Sequence, residues 1–168
     1  LEATLTAETV ISSKPCLTGS EKWVEPGVAL AGDILTYTIA LDNSIGTMHT
    51  TAHVTDCIPA NSTYISGSLQ FSDGEGFYNP QTNCIQWTGP VTAGIEFSTL
   101  ITFQVMINPG WSQCTVIDND ALVDDGYHPP LRITARTIVL CGPNLVNSTK
   151  TVDKAQAEPG EELEYTIV

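Results

Sequence analysis

A long internal repeat constrains this sequence more than any other feature. Residues 129–168 align with residues 1–40 without a gap, at an offset of 128 positions, and 14 of the 40 aligned positions are identical. The identities fall on turn, core and linker positions alike, and they include Lys22/Lys150, Gly32/Gly160, Leu35/Leu163, Tyr37/Tyr165 and Ile39/Ile167. Self-similarity at a fixed period is typical of modular proteins, so we expect a tandem repeat of about 128 residues.

The repeat predicts three parts of the chain. Residues 1–15 are interpreted as the last strand of a preceding repeat and its linker, and residues 16–143 as one complete module. Residues 144–168 are interpreted as the first two strands of the next repeat, because GEELEYTIV matches GDILTYTIA. Two arrangements remain open: a long covalent array, or separate subunits that exchange donor strands. In either case the apolar side chains of the closing stretch must be covered.

Alternation of apolar and polar residues predicts β-strands throughout the module. It is clear at residues 33–42, 98–108, 114–124 and 131–140, and shorter strands are expected at 22–25, 51–56, 63–70 and 83–88. Clusters of Gly, Pro, Asn and Asp predict turns at 72–80, 108–110 and 124–130. Seven or eight short strands at this spacing predict an all-β chain folded as an antiparallel β-sandwich.

Charge and motif content narrow the range of functions. The net charge of −13 argues against binding to nucleic acid or to anionic membranes. The sequence contains no apolar run long enough to span a membrane. Its acidic stretches lack the ligand spacing of a calcium loop, so no metal and no cofactor are predicted. Without a thiol–histidine pair, a phosphate loop or a serine elbow, the chain is predicted not to be an enzyme.

One set of motifs resembles a known family. The series GDILTYTIALDN, AHVTDCIPANSTYISGS, NCIQWTG, ITFQVMINPG and VIDNDALVDDG is similar to the tandem repeat of prokaryotic cell-surface proteins called domain of unknown function eleven. The resemblance covers the full module and restarts at Lys150. It implies an immunoglobulin-like sandwich, tandem arrays, an extracellular or cell-surface location, and a structural or adhesive role.

Three polar residues fall on inward-facing positions of three different strands. Lys22 shares a face with an apolar valine, and Asp56 and Asn119 likewise alternate with apolar residues. One interpretation is a hydrogen-bonded cluster, or a lysine at a strand edge whose amine reaches solvent. The other is an isopeptide bond between Lys22 and Asn119 assisted by a protonated Asp56. Gram-positive pilin and adhesin domains use a similar arrangement of lysine, asparagine and acid.

Five cysteines suggest an oxidising environment. Cys114 and Cys141 are symmetric about a predicted hairpin turn and form the favoured disulfide, with Cys57 and Cys84 as the second pair. Cys16 is left over, and either pairs with the preceding module or is a free thiol. Connectivity does not follow from sequence alone.

Two further groups of residues are candidates for surface functions. Asn61 and Asn147 lie in N-glycosylation sequons. The exposed aromatic residues expected on turns are candidate ligand contacts: Trp111, Tyr78, Phe77 and Tyr127.

The favoured function is a structural module of an extracellular fibre, stalk or surface-layer protein, with neighbouring copies of the same module as partners. The alternative is an adhesin module that binds glycan or protein through its loops.

Overall fold

The computed structural model describes residues 13–109, 114–141 and 148–168, which form thirteen β-strands and no helix. The strands are β1 Glu21–Glu25, β2 Val28–Ala29, β3 Ile34–Leu41, β4 Thr50–Cys57, β5 Ser62–Tyr64, β6 Gln70–Phe71, β7 Glu75–Asn79, β8 Cys84–Val91, β9 Thr99–Ile107, β10 Thr115–Asp124, β11 Leu131–Val139, β12 Lys150–Val152 and β13 Tyr165–Ile167.

Two sheets make up the module. The first has the order β1-β3-β9-β5, and β6 also pairs with β9; the second has the order β2-β11-β10-β4-β8-β7. Neighbouring strands are antiparallel except for β2, which runs parallel to β11. β12 and β13 form a separate two-stranded sheet. This architecture confirms the predicted all-β class.

The core lies between the sheets and follows the alternation of the strands. On β3, Leu35, Tyr37 and Ile39 are fully buried, and on β9 every second residue is buried. Tyr37 stacks on Phe103 of the neighbouring strand with ring centroids 5.3 Å apart. The two inner faces therefore bury large apolar side chains in the manner of a β-sandwich.

Two stretches differ from the prediction. Residues 72–80 were expected to be a turn, but they contain β7, which forms the edge of the second sheet. Pairing with β8 and stacking of Tyr78 on Tyr64, with centroids 4.3 Å apart, outweigh the local turn preference. Residues 63–70 were expected to be one strand, but a turn through Gly67, whose φ is +79°, separates β5 from β6.

Asn43 forms hydrogen bonds to three segments at the end of the sandwich where the chain enters the module. Its side chain accepts a hydrogen bond from the backbone N–H of Cys16 at 2.9 Å and donates one to the carbonyl of Met48 at 3.0 Å. Its own carbonyl accepts hydrogen bonds from the N–H groups of Gly46 and Gly94. One fully buried amide thus joins the entering segment to two loops.

Candidate cross-linking site

A buried ion pair connects the two sheets. Lys22 extends inward from β1 in the first sheet, and Asp56 extends inward from β4 in the second. The lysine Nζ lies 2.5 Å from Oδ2 of the aspartate, and neither side chain is exposed to solvent. The amine and the carboxyl group are therefore held together in the interior, shielded from bulk solvent.

Asn119 lies on the same interior surface. Asp56 is directly opposite Ala121 in the β4–β10 pairing, and Asn119 is two residues before Ala121 on the same face of β10. Asn119 is only 2% exposed. Its Nδ2 atom and Oδ1 of Asp56 are both buried without a hydrogen-bond partner among the described residues. The three predicted site residues thus contribute an amine, a carboxyl group and a carboxamide to one interior region.

Burial favours the uncharged forms of the pair. Desolvation lowers the pKa of Lys22 and raises the pKa of Asp56 to about 6, while the attraction between the two charges acts in the opposite direction for each group. The rings of Tyr37 and Phe103 lie 5.0 and 6.0 Å from the lysine Nζ. These rings form part of the apolar surroundings that make a charged amine costly.

Two further polar groups belong to this interior. The hydroxyl of Tyr37 on β3 and that of Thr137 on β11 are buried without a hydrogen-bond partner among the described residues. Burial also raises the pKa of Tyr37 above its ordinary value. Sequence reasoning placed Tyr37 in the core but did not identify either residue as part of the site. Their inward positions on alternating strands are the signal by which the sequence could have identified them.

The structure forms two disulfides. Cys57 and Cys84 are directly opposite each other on β4 and β8, with Cα atoms 3.8 Å apart. Cys114 and Cys141 flank the β10–β11 hairpin, with Cα atoms 4.6 Å apart. Cys16 forms no disulfide with the described part of the chain.

The remaining candidate residues do not form one site. Phe77 and Tyr127 are exposed, but they line separate surface cavities. Tyr78 is half-buried, and its hydroxyl donates a hydrogen bond to Asn83 at 2.8 Å. Asn61 has a φ of +64° in the turn before β5. Trp111 and Asn147 lie outside the described residues.

Two kinds of feature are absent from the part of the chain that the structure describes. Within residues 13–109, 114–141 and 148–168, no helix has the length and apolar character needed to cross a membrane. The same ranges contain no group of three or more His, Cys, Asp or Glu side chains that could hold a metal ion.

Comparison with known proteins shows the fold. No family model matches the sequence, and no curated protein matches it. The chain is similar to the solved structure of collagen adhesin (CNA) from S. aureus, with a TM-score of 0.53 and 10% identity over 73% of this chain and 49% of that one. It is also similar to the full-length major pilin SpaD from Corynebacterium diphtheriae, with a TM-score of 0.51 and 17% identity over 84% and 39% of the two chains.

A third solved structure is similar to this chain over the same fold. The major pilin subunit BcpA of Bacillus cereus matches with a TM-score of 0.50 and 10% identity over 71% of this chain and 39% of that one. This chain therefore spans about half or less of the length of each of these three structures. The likeness confirms an immunoglobulin-like β-sandwich of the kind found in Gram-positive adhesins and pilins. Membership of domain of unknown function eleven stays a prediction.

Proposed function

We propose that this chain is a structural module of an extracellular fibre, stalk or surface-layer protein, reinforced by an isopeptide bond between Lys22 and Asn119. The observation that supports the proposal is the buried cluster of Lys22, Asp56 and Asn119, which spans three strands and both sheets. A buried ion pair is by itself weak evidence for added stability, because desolvation offsets most of its attraction. A covalent role accounts for placing an amine beside a carboxyl group and a carboxamide in a buried core.

The proposed reaction needs no component beyond these side chains. A proton passes from the ammonium group of Lys22 to Asp56, which leaves a neutral amine and a neutral acid. The lysine Nζ then attacks Cγ of Asn119 while the acid donates a hydrogen bond to the amide oxygen. The Nζ–Cγ bond forms, the Cγ–Nδ2 bond breaks, and a proton from Nζ completes the ammonia that leaves.

The environment and the partners follow from the same proposal. Two disulfides fit an oxidising compartment outside the cell. The structures that share the fold are surface adhesins and pilins. We accordingly propose that neighbouring copies of the module are its partners. We also propose that Asn61 and Asn147 carry glycans, and that the chain belongs to the family called domain of unknown function eleven.

Intact mass under reducing, denaturing conditions tests the bond. We expect the wild-type chain to weigh one ammonia less than its sequence requires. Lys22→Ala and Asn119→Ala should each have the full mass of their own sequences. Lys14→Ala, which changes an exposed lysine, is the matched control and should retain the deficit. A wild-type chain of full mass would contradict the proposal.

One observation favours the adhesin alternative as a second candidate. A cavity of about 280 Å³ lies on the outer face of β4, β7 and β8, and its lining includes His53, Thr55, Phe77 and Gln86. Phe77 is 58% exposed, and an exposed ring beside hydrogen-bonding side chains suits stacking against a sugar. A glycan array is the test: binding by the wild type that Phe77→Ala abolishes would support the adhesin function, and an array without hits would contradict glycan binding.

A further inference from the structure

The outer face of strands β10 and β11 carries two cross-strand ion pairs. Asp118 is directly opposite Arg136, whose Nε and Nη2 atoms donate hydrogen bonds to its carboxylate at 2.7 and 3.1 Å. Asp120 accepts hydrogen bonds from Arg132 and from Thr134, the latter at 2.6 Å. The side chains of both arginines are 67% exposed. The charged groups are therefore held in place by their neighbours and remain accessible to a further partner.

The charges of this surface cancel, although the chain is strongly acidic. We define the β10–β11 face as the outward-pointing side chains from Val116 to Leu122 and from Arg132 to Ile138. It contains the only two arginines of the sequence, which balance two aspartates, whereas the whole chain has a net charge of −13. Two copies that approached through acidic surface would repel each other, and the β10–β11 face avoids this repulsion.

Apolar side chains flank the ion pairs on the same face. Val116 is opposite Ile138, and Ile138 is opposite Val28 of β2, so three apolar side chains form one row across three strands. Val116 and Ile138 are each 47% exposed, and Val28 is 52% exposed. Leu122 lies at the other end of the ladder and is 48% exposed. Half-exposed apolar side chains beside paired charges are typical of a surface that binds protein.

We propose that the β10–β11 face is a side-by-side contact between two copies of this module, related by a two-fold axis that runs along the strands between β10 and β11. This rotation exchanges the two strands and keeps each level of the ladder. Asp118 then lies over Arg136 of the second copy, because the two residues are directly opposite each other within one copy. Val116 lies over Ile138 of the second copy for the same reason. The face is thus complementary to itself in charge and in polarity.

This self-complementarity selects a second copy as the occupant. An acidic partner would meet the two aspartates with like charge, and a basic partner would meet the two arginines with like charge. A wholly apolar partner would remove four charges from water and return no new ion pair. A second copy presents an arginine to each aspartate, an aspartate to each arginine and an apolar row to an apolar row at the same level of the ladder.

The size of the face predicts a weak contact between single modules. Seven residues along a strand measure roughly 23 Å, and three strands measure roughly 14 Å across. This area is smaller than the about 800 Å² that each partner buries in a stable complex. Modules joined in a fibre would repeat the contact along their length, and such repetition raises the overall affinity of two fibres for each other. The inference thus adds lateral association to the proposed structural role, and it does not depend on the Lys22–Asn119 bond.

Inversion of single charges tests the contact in the whole chain. We expect the wild type to self-associate in sedimentation equilibrium at about 1 mM protein. Asp118→Arg should abolish the association, since the introduced arginine would lie over Arg136 of the second copy. Arg136→Asp should abolish it by placing two carboxylates together. Asp73→Arg makes the same change of charge at an exposed position outside the face, and it is the control that should associate like the wild type.

A mixture of the two charge variants is the decisive sample. An equimolar mixture of Asp118→Arg and Arg136→Asp should form a heterodimer, because each inverted charge in one variant lies over its opposite in the other. The heterodimer would also show that both variants are folded. Neither variant should form a dimer alone.

The apolar row provides a second test of the same face. Ile138→Thr keeps a β-branched side chain and shortens the apolar row, so it should weaken the self-association of the chain severalfold. Ile45→Thr is the matched control, because Ile45 is exposed in the turn after β3 and lies outside the face. Equal association of the two variants would contradict burial of the row in the contact.

The outcomes separate this inference from the proposed covalent bond. A wild type that stays monomeric at about 1 mM would overturn the contact. Association that both charge variants retain, or a mixture of the variants that stays monomeric, would overturn it as well. Intact mass reports independently on the bond, since the substituted side chains point away from the interior that holds Lys22. A chain that self-associates through this face without an ammonia deficit would overturn the bond and leave the contact intact.

Discussion

At the scale of single residues, the proposed cross-link depends on Lys22, Asp56 and Asn119. Each could be an ordinary polar residue of a strand, and their significance comes from burial in one place. Removing water raises the pKa of the acid and lowers that of the amine, which makes the amine a better nucleophile and the acid a proton donor. The same desolvation predicts large effects of substitution.

Asp56→Ala should prevent the bond and destabilise the fold. Without the acid, the amine of Lys22 is buried without its partner, which typically costs about 3–5 kcal/mol. We expect a full-length mass without the ammonia deficit, and unfolding at a lower urea concentration than the wild type. Asp73→Ala, at an exposed position, is the control. An Asp56→Ala chain that retained the deficit would exclude the acid from the reaction.

The ionisation of Asp56 should be visible in a chain that cannot form the bond. In the wild-type chain burial raises the pKa of Asp56 to about 6, and Asn119→Ala removes a group that lowers this pKa, so the pKa should stay above its ordinary value of about 3.9 in the variant. The folded variant then holds a proton that the unfolded chain releases as the pH rises above about 3.9. The contribution of this group to stability is therefore present at low pH and is lost as the pH rises through about 6, by up to about 3 kcal/mol.

The comparison variant for this pH dependence is Asn119→Ala combined with Asp56→Asn. Urea unfolding at several pH values gives the difference in stability between the two variants. A difference that did not change between pH 4 and pH 7 would contradict the raised pKa of Asp56. Surface carboxylates with lowered pKa, such as Asp118 and Asp120, are common to both variants and cancel.

Asn43→Ala should destabilise the module although the residue is remote from the candidate site. The change removes the buried acceptor of the Cys16 N–H and the donor to the Met48 carbonyl. Leaving such groups unpaired typically costs about 1–3 kcal/mol for each. Thermal unfolding measures the loss, and Asn108→Ala, which removes one exposed hydrogen bond from Thr63, is the matched control. Equal melting temperatures for the two variants would contradict this role.

At the scale of the elements, the position of the edge strand β7 depends on close packing of the backbone at Gly74 and Gly89 against the ring of Trp87. Trp87 on β8 is 2% exposed, and its Nε1 donates a hydrogen bond to the carbonyl of Asp73 at 2.9 Å. A Cβ atom on Gly89 would lie 2.4 Å from the Trp87 ring and 2.7 Å from the Cα atom of Gly74. The absence of side chains at both glycines permits this packing.

Gly89→Ala should therefore displace β7 and destabilise the fold by about 1–3 kcal/mol, the usual cost of overpacking. Trp87 should become more accessible, and its fluorescence should shift to longer wavelength. The matched control is Gly27→Ala, because a Cβ atom at Gly27 would meet no atom within 4 Å. The same stability for both variants would show that the contact at Gly89 is unimportant.

The elements also show what the sequence could predict. Alternation predicted the long strands β3, β4, β9, β10 and β11 and the inward position of Lys22, since period-two patterning directly reflects a half-buried sheet. It missed β7, because Gly74 just before the strand and Gly76 within it are locally typical of turns, and pairing with β8 is what stabilises the strand. It did not associate Tyr37 and Thr137 with the site, because proximity across two sheets depends on how the strands pack.

At the scale of the whole molecule, covalent links connect strands that are distant in sequence. The Cys57–Cys84 disulfide closes a loop across β4 and β8 with a sequence separation of 27. Closing a loop of this size reduces the entropy of the unfolded chain by an amount typically worth about 2–4 kcal/mol. The stability of the module should therefore depend on the redox state of its surroundings.

The double variant Cys57→Ser/Cys84→Ser should lose about 3 kcal/mol of stability against urea. Cys16→Ser is the control and should unfold like the wild type, since Cys16 forms no disulfide with the described residues. Adding a reductant should destabilise the wild type by the loss of both disulfides. It should destabilise the double variant less, because only the Cys114–Cys141 disulfide is left to reduce. A double variant as stable as the oxidised wild type would contradict this expectation.

The Cys114–Cys141 disulfide has a mechanical consequence when it is combined with the proposed bond. Tension applied along the chain would enter at Lys22, cross to Asn119, run back along β10 to Cys114, and leave through the disulfide at Cys141. Nearly the whole sandwich then lies beside the load path and carries no tension. A fibre of such modules would behave as a series of short, inextensible links. Reduction of this one disulfide would let each module extend only by the part of the β10–β11 hairpin between Asn119 and Cys141.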